Sequence, residues 1–209
     1  MNSKSSKVVI YFHGLGEDLG ETLNEMNFIR RRCKVNVIGV EYPCYGLNWD
    51  SGVCTDELMM RDAECVLKFV LWDLHLAEKD VIIIGRSMGT GVASQLASSM
   101  KKSPALLVLI QPFLSINRLV EEALGPFRFI AYILKKRFET YKLIPSLKCP
   151  LLVIHGNKDP LVPMAHGEKI YLLSTVSDKH FSRREGCTHV GYDRDLDIAH
   201  PIADFMKQF

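Results

Sequence analysis

Short, almost purely apolar runs rich in β-branched residues recur along this chain, separated by longer stretches in which apolar residues return at helical spacing. Val8–Phe12, Val35–Val40, Val81–Ile84, Ala105–Ile110 and Leu151–Ile154 read as five strands, and the more polar Lys179–Arg184 as a sixth. Unbroken apolarity, in place of strict alternation, is what strands covered by helices on both faces require. Between the second and third runs, Met59, Ala63, Val66 and Val70 fall on one helical face, with Asp56 near the start and acidic residues in the first turn. A second helix is predicted from Met88 to about Met100, its small residues (Gly89, Gly91, Ala93, Ala97) letting it lie close to the sheet. A third runs from Ile198 to Phe209, with Pro201 suited to a first helical turn. Strands alternating with crossover helices predict an α/β fold with a mostly parallel, doubly wound sheet of about six strands.

The 209 residues fit one domain covering 1–209, and no repeat, linker or low-complexity segment divides it. Hydrophobic and charged fractions of 47% and 24% are those of an ordinary globular protein. The net charge of +2, with basic clusters only three residues long at Arg30–Arg32 and Lys135–Arg137, argues against a nucleic-acid partner and reads as solvated helix faces. No apolar run approaches the 18 or so residues that crossing a bilayer needs, so no transmembrane segment is expected. The N-terminal stretch lacks the apolar core of a signal peptide, and the six cysteines contain no Cys-x-x-Cys pair. The expectation is a set of reduced thiols, a cytoplasmic location and no metal site.

The chemistry concentrates at strand ends. Gly85-Arg86-Ser87-Met88-Gly89 follows the third strand and opens a small-residue helix. Alone the pentapeptide is a weak signal, but strand, turn and helix together form the context of a nucleophile elbow, in which a strained turn lifts a serine hydroxyl above the sheet. Gly85 and Gly89, without side chains, permit the close approach this reversal needs. An ordinary glycine turn cradling a phosphate on the helix N-terminus is the competing reading, and neither a Gly-x-Gly-x-x-Gly nor a Gly-Lys-Ser/Thr sequence supports it.

A serine hydroxyl needs a base within hydrogen-bond reach and a carboxylate to orient that base. Asp159, in the turn after the fifth strand, and His189, in Gly186-Cys187-Thr188-His189 after the sixth, follow Ser87 in the order serine, acid, histidine. Both loops lie at the carboxyl ends of strands, where open α/β sheets collect their functional groups. The other histidines lie at other strand ends, within the sixth strand, or in helical and flanking stretches. The expected oxyanion donors are the backbone N–H of Met88, next to the serine, and that of Leu15 in the loop His13-Gly14-Leu15-Gly16 after the first strand. Whether Arg86 lines the pocket or enters a salt bridge is open from sequence.

These motifs, in this order over 7–209, resemble the α/β-hydrolase superfamily. More narrowly they are similar to the α/β-hydrolase-domain palmitoyl-protein thioesterases (depalmitoylases) and their eukaryotic relatives, through the His13 loop, Glu41-Tyr42-Pro43-Cys44-Tyr45-Gly46, Ser87-Met88-Gly89-Thr90, Leu151–Gly156 and the Gly186–His189 loop. The resemblance implies the α/β-hydrolase fold and a catalytic Ser87, Asp159 and His189. It further implies hydrolysis of carboxylic esters or acyl thioesters on a small molecule or an acylated protein, with no cofactor. A lipase or monoacylglycerol hydrolase, a peptidase, and a non-catalytic binding homologue are alternatives on the same scaffold. Unlike the depalmitoylases resembled, the chain has no cysteine in residues 1–32. A lid is expected within 111–147. Its segment 125–138, with Phe127, Ile130, Leu134 and Phe138 at helical spacing beside Arg128, Lys135, Lys136 and Arg137, reads either as an acyl-chain wall and peripheral membrane contact or as a crossover helix packed on the sheet. The sequence carries no reading of the oligomeric state.

Overall fold

The computed structural model describes residues 6–124 and 137–208. Six strands form one sheet: β1 (Val8–Phe12), β2 (Asn36–Val40), β3 (Val81–Arg86), β4 (Leu106–Ile110), β5 (Leu151–Gly156) and β6 (Lys179–Arg184), in the order β2-β1-β3-β4-β5-β6. All five pairings are parallel, with Val8 opposite both Asn36 and Val81, Ile82 opposite Leu106, Leu107 opposite Leu151, and Leu151 opposite Lys179. β3 and β5 run two residues beyond the expected ends, which carries the sheet into the Gly85-Arg86 and His155-Gly156 positions.

Alternate side chains of the inner strands feed two cores. On one face Val8, Ile10, Phe12, Val81 and Ile83 pack against α2 (Asp56–Lys68) and α3 (Gly89–Ser99). On the other, Val9, Tyr11, Ile82 and Ile84 pack against α1 (Leu19–Cys33) and α7 (His200–Met206). Burial on both faces is why the inner strands β1 and β4 are apolar throughout, whereas the edge strand β6 is polar and partly exposed. The chain leaves β1 toward β2, then crosses back over β1 to β3, so the strand order reverses between β1 and β3. Such a switch point opens a crevice at the carboxyl ends of its strands, and the His13 and Ser87 turns border it.

Helix ends follow local chemistry. Asp18 caps α1 by accepting the Glu21 N–H at 2.9 Å, and Lys34 closes it in the left-handed region. Thr55 caps α2 by accepting the Leu58 N–H at 3.2 Å, with Asp56 and Glu57 favourable in the first turn. α2 runs into a π-helical turn at Phe69–Asp73, and a second π turn at Arg194–Ala199 leads into α7, so the expected C-terminal helix begins earlier and less regularly than its apolar pattern implied. α4 (Ile116–Leu124), α5 (Thr140–Leu143) and α6 (Met164–Leu173) complete the described elements.

Most of the 125–138 segment, with Phe127, Arg128, Ile130, Leu134, Lys135 and Lys136, lies outside the described residues. Its described end packs on the body: Phe138 is buried against Gly91 of α3, and Arg137 is paired with Asp56. Among the described residues, no helix is long and apolar enough to cross a membrane.

Candidate active site

The turn after β3 is built by close contact. A Cβ on Gly85 would lie 2.3 Å from the Gly89 carbonyl oxygen, and one on Gly89 would lie 2.3 Å from that of Phe12. Glycine at both positions lets α3 start against the strand ends. Ser87, between them, adopts a φ of 49°, the left-handed region that costs a non-glycine residue free energy. That turn is tied down: the Ser87 N–H donates to the Ile110 carbonyl at 2.9 Å, and the Thr90 hydroxyl donates to the Ser87 carbonyl at 2.6 Å.

Asp159 and His189 come from loops pressed together beyond β5 and β6. The Lys158 N–H donates to the Cys187 carbonyl at 3.0 Å, and the Gly186 N–H to the Asn157 side-chain oxygen at 2.8 Å. His189 Nδ1 then lies 2.7 Å from Asp159 Oδ2, and its Nε2 lies 3.0 Å from Ser87 Oγ. With Nδ1–H donating to the carboxylate, Nε2 is the nitrogen free to accept the serine proton. Serine, histidine and aspartate therefore form one hydrogen-bonded chain.

The Asp159 side chain is fully buried, and burial alone would raise its pKa. The His189 ring and the N–H groups of Leu161 and Val162, both donating to Oδ1 at 2.9 Å, outweigh burial and hold the carboxyl below its ordinary value. It is ionised at neutral pH and oriented by three donors.

The loop after β1 is braced by its neighbours. Tyr42 donates its hydroxyl to the His13 carbonyl at 3.0 Å, and the His13 ring packs on Tyr42 and lies 3.0 Å from Glu41 through Nε2. His13 is fully buried and belongs to the support of this loop; it does not join the Ser87 chain. Gly14 donates its N–H to Glu17 at 2.8 Å. Leu15 lines the cavity onto which Ser87 opens, and Met88 is half-buried beside Ser87.

Three side chains unassigned from sequence complete the arrangement. The buried Arg86 guanidinium pairs with Glu17 and donates from Nη2 to the His189 carbonyl at 2.7 Å, so it both enters a salt bridge and borders the cavity. Gln111 donates from Nε2 to the Thr188 carbonyl at 2.9 Å, steadying the residue before His189. His155, beneath Asp159, donates from Nε2 to the Val162 carbonyl at 2.9 Å. These partners are far apart in the chain or part of loop geometry, so no local pattern signals them.

Ser87 and His189 open into a cavity of about 800 Å³. Its lining is apolar at Leu119, Val120 and Ala123 of α4 and at Leu161 and Val162, and polar at Glu17, Glu21, Arg86 and Arg194. Among the described residues, no group of three or more His, Cys, Asp or Glu side chains is arranged to hold a metal ion, and all six cysteines are free thiols.

No family model matches the chain. It is 28% identical over 181 residues to a candidate alpha/beta hydrolase of Acanthamoeba polyphaga mimivirus, across 85% of this chain and 64% of that protein. It is 29% identical over 196 residues to the lysophosphatidylserine lipase ABHD12 of Bos taurus, across 84% of this chain and 47% of that protein. A solved esterase of Pyrococcus furiosus superposes over 99% of this chain and 84% of its own, with a TM-score of 0.73 at 19% identity. The chain spans less than two thirds of the length of these two sequence relatives.

Proposed function

Starting from the α/β-hydrolase fold, which this chain has, we propose that it is a serine hydrolase of carboxylic esters or acyl thioesters that works through an acyl-enzyme on Ser87. The observation that carries the reading is the chain of hydrogen bonds from Ser87 Oγ through His189 to Asp159, at 3.0 and 2.7 Å.

In the first half-reaction Ser87 Oγ attacks the acyl carbonyl as its proton passes to His189 Nε2. Asp159 holds the imidazole in the tautomer that makes Nε2 the acceptor and stabilises the imidazolium that forms. The tetrahedral oxyanion is held by the N–H groups of Leu15 and Met88, each donor worth about 2.7 to 4 kcal/mol in such a site. Collapse expels an alcohol or thiol that takes its proton from His189. Water, deprotonated by the same imidazole, then releases the acid and restores Ser87.

The apolar wall of Leu119, Val120, Ala123, Leu161 and Val162 supports an acyl chain in the cavity, with the polar wall toward the leaving group. An acylated protein and a small acyl ester present the same carbonyl to Ser87. The reading extends to both, and chain length and leaving group are the properties that separate them.

The test is a panel of p-nitrophenyl esters, acyl thioesters, amides and monoacylglycerols of graded chain length, run beside labelling with a fluorophosphonate probe. Wild type should turn over esters or thioesters and be labelled, and Ser87→Ala should do neither. Turnover that survives Ser87→Ala in purified protein overturns the mechanism. A wild type that is neither labelled nor active makes the site a binding cavity.

A further inference from the structure

Arg86 sits inside the Ser87 turn, yet it takes no part in the proton chain. Its side chain is only 3% exposed. Nη1 is paired with Glu17 Oε1, Nη2 donates to the His189 carbonyl at 2.7 Å, and the guanidinium carbon lies 5.3 Å from the centre of the Tyr192 ring. Glu17 passes the contact on, its second oxygen accepting the Gly14 N–H at 2.8 Å. Tyr192 is held in turn, its hydroxyl donating at 2.8 Å to Glu25, which also accepts the Tyr11 hydroxyl at 2.7 Å.

One planar cation at the end of β3 therefore ties two loops to the strand that leads into Ser87: the Gly14-Leu15 loop through Glu17, and the His189 loop through a backbone carbonyl and an aromatic face. A charge removed from water is costly unless its geometry and hydrogen bonds compensate. Burial opposes the Arg86 charge, and the phenolic and carboxylate oxygens of Tyr192, Glu17, Tyr11 and Glu25 outweigh it, so its pKa lies above the ordinary arginine value. Arg86 is thus a buried cation where the supports of the two predicted partners of Ser87 meet.

We propose that Arg86 is a positioning residue that fixes the loop bearing the Leu15 N–H and the loop bearing His189 relative to each other and to Ser87. The inference rests on the serine-hydrolase reading of the site. Arginine suits the role because its rigid fork presents donors in two directions at once, whereas a lysine ammonium is a single point charge on a flexible stem. Capture of an anionic substrate group is the competing role. Both Nη atoms are already engaged and the group is almost fully buried, which argues against it.

The experiment compares wild type with Arg86→Lys, Glu17→Gln and the double variant. It measures kcat and KM on a neutral and an anionic acyl ester, and the backbone amide resonances of Gly14 and of the 188–192 loop. Glu17→Gln keeps the test open if Arg86→Lys folds poorly, because the Glu17 side chain is 22% exposed. Each single change should lower kcat about 10- to 100-fold, the scale of a small misplacement of catalytic groups, with KM within about threefold on both esters. The double variant should lose less than the product of the two single losses, because both remove one linkage. In Arg86→Lys the amides of the 188–192 loop should shift, and in Glu17→Gln the Gly14 amide should shift.

A lower melting temperature with unchanged kcat would reduce Arg86 to a support of the fold. A KM that rises only for the anionic ester would make it a substrate-binding group. Absence of turnover in wild type would remove the serine-hydrolase reading and leave the amide shifts to decide the linkage, and unmoved resonances in both variants would overturn it.

Discussion

His155 Nε2 lies 3.7 Å from Asp159 Oδ2 and nevertheless gives its proton to the Val162 carbonyl, 2.9 Å away. Burial lowers the His155 pKa, against the raising effect of the Val162 carbonyl and of the Asp159 charge. The ring is therefore a neutral brace for the turn that carries Asp159. Because the folded protein binds this proton less readily than the unfolded chain does, the unfolded state gains from protonation below a pH of about 6.5. Stability should then fall with acidification, His155 contributing a slope of at most about 1.4 kcal/mol per pH unit. Urea unfolding at pH 7, 6 and 5 should show a shallower acid dependence for His155→Gln than for wild type. Equal slopes would remove His155 as a source of acid lability.

Asp159 is an acid where His155 is a base, and its linkage has the same direction. Its folded pKa is depressed, so the stability it contributes is fully present above the unfolded carboxylate value of about 3.9 and is lost as pH falls through the folded one. At neutral pH its effect should appear in the chemistry. Asp159→Asn can leave the hydrogen-bond geometry in place while favouring the wrong histidine tautomer, a change expected to lower kcat by about 10⁴-fold. Stopped-flow or steady-state ester hydrolysis at pH 7.5 checks this, and a loss below tenfold would mean that Asp159 does not orient His189.

The inner strands β1, β3, β4 and β5 were legible because each is covered on both faces. β1 and β4 read as unbroken apolar runs, and even the polar edge strand β6 was found with the bounds Lys179–Arg184. α1 was not legible. Its inward face includes Thr22 and Glu25, and Glu25 is buried only because the Tyr11 and Tyr192 hydroxyls donate to its two oxygens. A helix that buries a carboxylate erases the apolar stripe that periodicity detects. The strand-turn-helix context of its motif nominated Ser87, and chain order with position at strand ends nominated Asp159 and His189. The bracing by Arg86 and Gln111 could not be read, since Arg86 meets Glu17 across 69 residues and Gln111 meets Thr188 across 77. Such pairings exist only after the sheet has brought the loops to one edge.

The glycines of the Ser87 turn give a third prediction. A methyl group at Gly89 would meet the Phe12 carbonyl oxygen at 2.3 Å and that of His13 at 2.7 Å, both backbone atoms that cannot swing aside. Gly89→Ala should therefore destabilise the fold by about 1 to 3 kcal/mol, the range for overpacking. It should also slow fluorophosphonate labelling of Ser87, because the turn and the β1 loop are displaced together. Thermal melts and labelling rates measured on the same preparation check both, and normal labelling in a destabilised variant would show that the turn tolerates the shift.

The last prediction concerns α4, which lines the apolar wall of the cavity and buries no residue fully. His166 holds it to the body: Nδ1 accepts the Leu114 N–H at 3.2 Å, which leaves Nε2–H to donate to Glu122 at 2.9 Å. The two ends of this link differ in cost. Glu122 is half-exposed, so Glu122→Ala should change stability by less than about 1 kcal/mol. His166 is buried, and His166→Ala leaves the Leu114 N–H unpaired, at a cost of about 1 to 3 kcal/mol. Both changes free α4, and a freed wall weakens its contact with a long acyl chain far more than with an acetyl group. KM for long-chain esters should rise in both variants, by about fourfold to fifteenfold if the loss corresponds to one or two methylenes of burial at roughly 0.8 kcal/mol each, while acetyl ester kinetics stay near wild type. Equal effects on short and long chains would mean that α4 shapes the fold around the cavity without contacting the acyl group.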